Sequence, residues 1–173
     1  SIYSNIEILT IALEGTNTIE ATSVPKGVLN YMAIGGKGII FAGEGSLNIN
    51  LTNGASTTQG IYSFSGVEIG DSANISIYAR GPKTTTGFNR YYGVCTRGDF
   101  SLENKATLDV DILNESTGET QCLRVDKGGS IDISGSTTFT MSTNGVGIVQ
   151  SQENGDEEYV QTGGLVRIAQ SAK

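Results

Sequence analysis

Five segments of the 173-residue chain decide its fold: LTIALEGTNTIEA (9–21), IIFAGEGSLNINL (39–51), VEIGDSANISIYA (67–79), FSLENKATLDVDI (100–112) and IDISGSTTFTMST (131–143). They align without gaps, and LVRIAQSAK (165–173) opens the same pattern a sixth time. Successive starts lie 30, 28, 33, 31 and 34 residues apart. The first position is always apolar: Leu9, Ile39, Val67, Phe100, Ile131, Leu165. The third is Ile11, Phe41, Ile69, Leu102, Ile133 and then Arg167, and the eleventh is Ile19, Ile49, Ile77, Val110, Met141. Sixteen of these 17 positions are apolar, where a 37% hydrophobic composition gives about six. Spacing of two reads as strand, with alternate side chains on one face. Small residues between the two halves, Gly15, Gly45, Ala73 and Ala106, mark a tight bend.

A third apolar run precedes each new unit: GVLNYMAI (27–34), GIYSF (60–64), YYGVCTR (91–97), QCLRV (121–125) and GVGIVQS (145–151). Three short strands per unit of about 30 residues, repeated, describe a single-stranded parallel β-helix. The expectation is one all-β domain over 1–173, of about five to six coils starting near 9, 39, 67, 100, 131 and 165. An all-β sandwich also has short strands between turns, but it does not require equivalent positions to recur at this period. SIYSNIEI (1–8) is short, no capping helix is visible, and the last strand runs nearly to Lys173. These features read as a segment cut from a longer chain with flanking domains.

Composition removes several functions. The chain has no His, which excludes a His-based catalytic triad and a His₃ zinc site. Eleven basic against 18 acidic residues, net −7, have the wrong sign for nucleic acid. No apolar stretch is long enough to insert in a membrane.

ALEGTNTIEA (12–21), IIFAGEGSLNINL (39–51), GIYS (60–63) and VEIGDSANISIYA (67–79) together resemble the repeats of β-helical surface proteins from clostridial and other gut Firmicutes. The likeness extends over about 9–143 and is strongest at Gly43-Glu44-Gly45-Ser46-Leu47. It departs at Asn104-Lys105-Ala106, where a glycine-rich bend is expected. The resemblance implies a secreted or cell-surface, extracellular, carbohydrate-binding protein of pectin-lyase-like shape. It further implies an acidic polysaccharide such as polygalacturonate as ligand, with Ca²⁺ as a cofactor.

Two groups of residues carry chemistry suited to that role. Tyr78, Arg80, Phe88, Arg90, Tyr91 and Tyr92 are concentrated around the loop 79–93, and residues 78–93 hold four of the 12 aromatic residues. Aromatic faces stack on sugar C–H surfaces and arginine forks bind carboxylates, so these six are the candidate glycan site. Asp109 and Asp111 alternate with inward Val110 and Ile112, and Asp156, Glu157 and Glu158 lie in an acidic loop; these five are the candidate calcium ligands. Enzymatic β-helices cleave pectin, and Asp109 with Asp132 on the next coil is the carboxylate pair to consider. A non-catalytic binding module is the preferred reading; a structural spacer and a pectin-active lyase or hydrolase are the alternatives.

Cys95 and Cys122 fall on third strands of consecutive coils. Stacked, their Cα atoms stand about 4.8 Å apart, within disulfide range, although reduced thiols fill a core equally well. Arg97-Gly98-Asp99 spells an adhesion tripeptide but also an ordinary charged turn, and Asn50, Asn74 and Asn114 head glycosylation sequons.

Overall fold

The structure is a computed structural model that describes residues 1–24, 28–52, 54–81, 88–115 and 118–151, together with the backbone of 157–169. Its strands are β1 (Ile2–Tyr3), β2 (Ile8–Leu13), β3 (Thr16–Ala21), β4 (Asn30–Gly43) and β5 (Ser46–Leu51). They continue with β6 (Thr57–Ile69), β7 (Asn74–Gly81), β8 (Asn89–Thr96), β9 (Asp99–Leu102) and β10 (Thr107–Asn114). The last four are β11 (Gly118–Val125), β12 (Ile131–Ile133), β13 (Thr138–Ser151) and β14 (Glu157–Ala169). There is no helix among the described residues.

The chain winds as a parallel β-solenoid with three ladders. In the first, Leu9, Ile39, Val67, Phe100 and Ile131 stack in register, with Ile11, Phe41, Ile69, Leu102 and Ile133 two residues on. In the second, Ile19, Ile49, Ile77, Val110 and Met141 form the equivalent row. The third carries Ile34, Ile61, Val94, Leu123 and Ile148. These rows point inward and make one continuous core. Each strand leaves its backbone groups unpaired on its own, so the ladders supply hydrogen bonds at the same step that closes the core.

From Leu9 to Ile131 the chain completes about four turns, fewer than the five to six coils expected. The difference is the final segment. β14 does not start a further parallel coil; it runs back antiparallel along β13, Thr138 facing Ala169 and Ser151 facing Glu157. The segment from Leu165 resembles the start of a repeat because a period of two looks the same in either strand direction; Arg167 is where it departs from the apolar pattern. β14 also covers the end of the stack that the sequence leaves without a visible cap, pairing the exposed edge of the last parallel strand.

The corner between the first two ladders explains the departure at Asn104. Gly43, Asp71, Asn104 and Gly135 occupy one position in four successive coils, and all have positive φ, at 94°, 54°, 62° and 79°. Asp and Asn are the non-glycine residues that enter this region most readily. Asn104-Lys105 is therefore the same bend in different residues.

Candidate functional site

The six residues expected to bind glycan do not form one platform. Tyr78 and Arg80 sit on β7, on the outer face of the second ladder, whereas Arg90 and Tyr92 sit on β8, in the third. β7 ends at Gly81 and β8 begins at Asn89, so the two pairs belong to different ladders. Tyr91 is fully buried, because alternation along β8 sends neighbouring Tyr91 and Tyr92 to opposite sides of the strand. Its ring offers no face to a ligand, and burial pushes its phenol above the ordinary tyrosine value. On the second ladder, the Arg80 guanidinium lies 3.9 Å above the Tyr78 ring. It donates to the Asp111 carboxylate at 2.5 Å and to the carbonyls of Asp111 and Ala79 at 3.0 and 2.9 Å.

The third ladder gathers more. Arg90 Nε approaches Glu119 Oε2 at 3.3 Å, and the Tyr92 hydroxyl donates to the same oxygen at 2.9 Å. Burial and the hydrogen bond to that carboxylate both raise the Tyr92 pKa strongly. Phe88 stands exposed beside Arg90, 5.0 Å from ring centre to guanidinium carbon. Register stacks Gln59, Tyr92 and Gln121 in one outward row, and Tyr62, Cys95 and Arg124 in another. Arg124 Nε pairs with Asp126 at 2.9 Å, and its Nη1 donates to Gln121 Oε1 at 3.4 Å. Tyr62 meets Phe64 edge to face, with ring centres 4.9 Å apart.

Part of this set lines an open cleft of about 370 Å³, walled by Gln59, Tyr62, Tyr92, Glu119, Arg124 and Asp126. Of these, sequence reasoning placed only Tyr92, with Arg90 beside it. The missing signal lay in the third run of each unit: aligning Gly60, Gly93 and Cys122 brings Gln59, Tyr92 and Gln121 to one position, and Tyr62, Cys95 and Arg124 to another.

The same register settles the cysteines, which are both free and buried. Cys95 faces Arg124, not Cys122, and lines the outer cleft. Cys122 lies opposite Gly93 and points inward, its thiol 3.8 Å from the Val110 carbonyl and 3.9 Å from that of Ser142. They occupy opposite sides of the sheet, so no disulfide joins them. Burial pushes each thiol up to about 12, so both stay protonated across the neutral range and the reactive thiolate is scarce. At pH 8 an aromatic disulfide reagent is expected to label neither cysteine in the native protein. Without reductant it labels two per chain in denaturant; a count of zero there would restore the disulfide.

The candidate calcium ligands are also divided. Asp109 and Asp111 both face outward from β10, as expected, flanked by buried Val110 and Ile112. Glu20, Asn50, Tyr78, Asp111 and Ser142 form one row. Asp111, however, is held by Arg80. Partial burial and then the charge of Asp111 raise the Asp109 pKa. Asp156 lies outside the described residues, and Glu157 and Glu158 are described only as backbone paired to Ser151 and Gln150. Among the described residues no three His, Cys, Asp or Glu converge as a metal would need.

Asp132 lies on β12 in the first ladder and Asp109 on β10 in the second, so the carboxylates considered for hydrolysis occupy different outer faces. Asp99 of the Arg-Gly-Asp string accepts from the backbone N–H and the hydroxyl of Ser130, each at 2.8 Å, and these bonds lower its pKa. Of the sequon residues, Asn114 is buried and its backbone is bound by Asn144 on both sides, N–H to Oδ1 at 3.1 Å and carbonyl to Nδ2 at 2.7 Å.

Comparison of the chain with protein-family models, curated proteins and solved structures finds no match.

Proposed function

We propose that the protein is a non-catalytic carbohydrate-binding β-solenoid module of a secreted or cell-surface protein. The observation that carries this reading is the third-ladder cleft, where aromatic, amide and charged side chains from three successive coils meet on one rigid outer face. Tyr62 and Phe64 offer ring surface to sugar C–H groups. Gln59 brings an amide with both a donor and an acceptor to the cleft wall, and Glu119 and Asp126 accept hydroxyl protons. Sites carried on paired strands hold such groups more accurately than loops do. Calcium is a candidate cofactor on the second-ladder face, where Asp109 and Asp111 point the same way.

Affinity electrophoresis through gels containing polysaccharide, with calcium and with chelator, tests the proposal. The protein is expected to be retarded by at least one polysaccharide of a panel of neutral and acidic chains. Tyr62→Ala should weaken that retardation about tenfold, the loss of one aromatic contact of roughly 1.4 kcal/mol. Tyr78→Ala, on the other ladder, should leave it unchanged. Retardation insensitive to Tyr62→Ala would move the site off this cleft. A ladder of shortened product would make the protein an enzyme, and no retardation on any gel would favour the spacer.

A further inference from the structure

We infer that the ligand of the third-ladder cleft is a neutral, hydroxyl-rich glycan and not a polyanion; this rests on the carbohydrate-binding reading above. The two guanidiniums of the cleft are each matched by a carboxylate of the chain, Arg90 by Glu119 at 3.3 Å and Arg124 by Asp126 at 2.9 Å. The lining of the cleft therefore carries two positive and two negative charges that cancel, with exposed Arg97 hydrogen-bonded to Tyr62 at its edge, on a chain of net charge −7. A uronate reaching either arginine would stand beside a carboxylate already in place, and the field of the whole molecule would oppose its approach. The other cation that the sequence assigned to an acidic sugar and the structure describes, Arg80, is held by Asp111 on a different ladder.

A pair of sugar hydroxyls meets no such conflict. A carboxylate has about four acceptor sites. Arg90 and Tyr92 approach only one oxygen of Glu119. A diol can donate to the remaining sites while accepting from the amide of Gln59 or from an arginine N–H, and charge-assisted bonds of this kind are the strong ones. The outward rows Gln59–Tyr92–Gln121 and Tyr62–Cys95–Arg124 run across three coils, about 10 Å, which suits a short stretch of chain crossing the strands.

The test compares gels containing hydroxyethylcellulose or arabinoxylan with gels containing polygalacturonate, at low and high salt. The expected result is retardation by a neutral chain that changes less than about twofold with salt, because no net charge is neutralised on binding. Glu119→Gln keeps the shape and removes the charge; it should weaken the neutral ligand about tenfold or more while leaving the melting temperature nearly unchanged. Retardation by polygalacturonate alone, abolished by salt, would overturn the neutral ligand and leave the carbohydrate-binding reading standing. Retardation by neither would overturn both. A neutral ligand bound equally well by Glu119→Gln would overturn the role given to the balanced charges.

Discussion

Phe100→Ala is expected to cost about 3–5 kcal/mol, roughly a fifth or more of the stability of about 5–15 kcal/mol ordinary for a domain. The ring is fully buried and stacks between Val67 and Ile131 in the first ladder, with Phe139 of the second ladder 6.2 Å away across the core. Strands are hydrogen-bonded to β9 on both sides, so the backbone cannot close in on the space the ring leaves. A cavity that cannot collapse keeps the upper part of the known cost range. The position within the stack also matters, because each coil is stabilised chiefly by its neighbours. Leu9 occupies the same row in the first coil, but it is only partly buried and has one neighbour. Leu9→Ala should therefore cost about 1–2 kcal/mol, the smaller transfer term for a half-buried side chain. Urea titration followed by circular dichroism would read both variants. Equal losses for the two would mean that stacking depth does not control the contribution of a core residue here.

That contrast marks what the sequence can express about this fold. Inward rows were legible because every coil must place apolar residues at the same three-dimensional positions, and Ile39, Val67 and Phe100 do so despite differing spacing between coils. Strand direction was not legible. Val166 and Ile168 continue the alternation of Met141 and Phe139 that β14 pairs with, and nothing in a two-residue period distinguishes parallel from antiparallel. The corner at Asn104 was misread for a related reason: a bend that needs positive φ was sought as glycine, although Asp71 one coil earlier meets the same demand.

For the candidate site, sequence proximity proved a poor guide. Tyr78 and Tyr92 are 14 residues apart, yet they belong to different ladders, while Gln59, Tyr92 and Gln121 are about 30 residues apart and adjacent. In a solenoid the neighbour of a surface residue is its counterpart one coil away. Clustering along the chain, which drew attention to 78–92, measures the loop between strands. The charge pairs were hidden for the same reason, since Arg80 with Asp111 and Arg90 with Glu119 join successive coils. Tyr91 and Tyr92 differ only in which side of one strand they occupy. Choosing between them required the inward row of Gly60, Gly93 and Cys122, two residues after Tyr91, because Val94 is also inward and alternation counted from it would select Tyr92.

Gly98→Ala should cost about 3 kcal/mol or more, although it adds a single methyl group to a partly exposed turn. The corner after β8 stacks on its neighbours with backbone against backbone. A Cβ at Gly98 would lie only 1.9 Å from the Ser65 carbonyl oxygen, while on the other side a Cβ at Gly129 would meet the Gly98 carbonyl at 2.5 Å. Overpacking usually costs about 1–3 kcal/mol when side chains can move aside. Here the obstructing atom is main chain, part of the turn that precedes the paired residues Gly66 and Asp99, so relief requires the ladder itself to shift. Ser65→Ala should accordingly give no rescue. Gly70→Ala supplies the control, because the nearest atoms to its added Cβ are 3.8 Å away and its backbone is not in the positive-φ region. That variant should be neutral or gain about 0.4–1 kcal/mol through a less flexible unfolded chain. The pair also weighs the Arg97-Gly98-Asp99 string: its glycine keeps two coils at stacking distance and its aspartate ties down Ser130. Thermal melts that move Gly98→Ala no further than Gly70→Ala would sink the steric account of this corner and return the tripeptide to consideration as a surface signal.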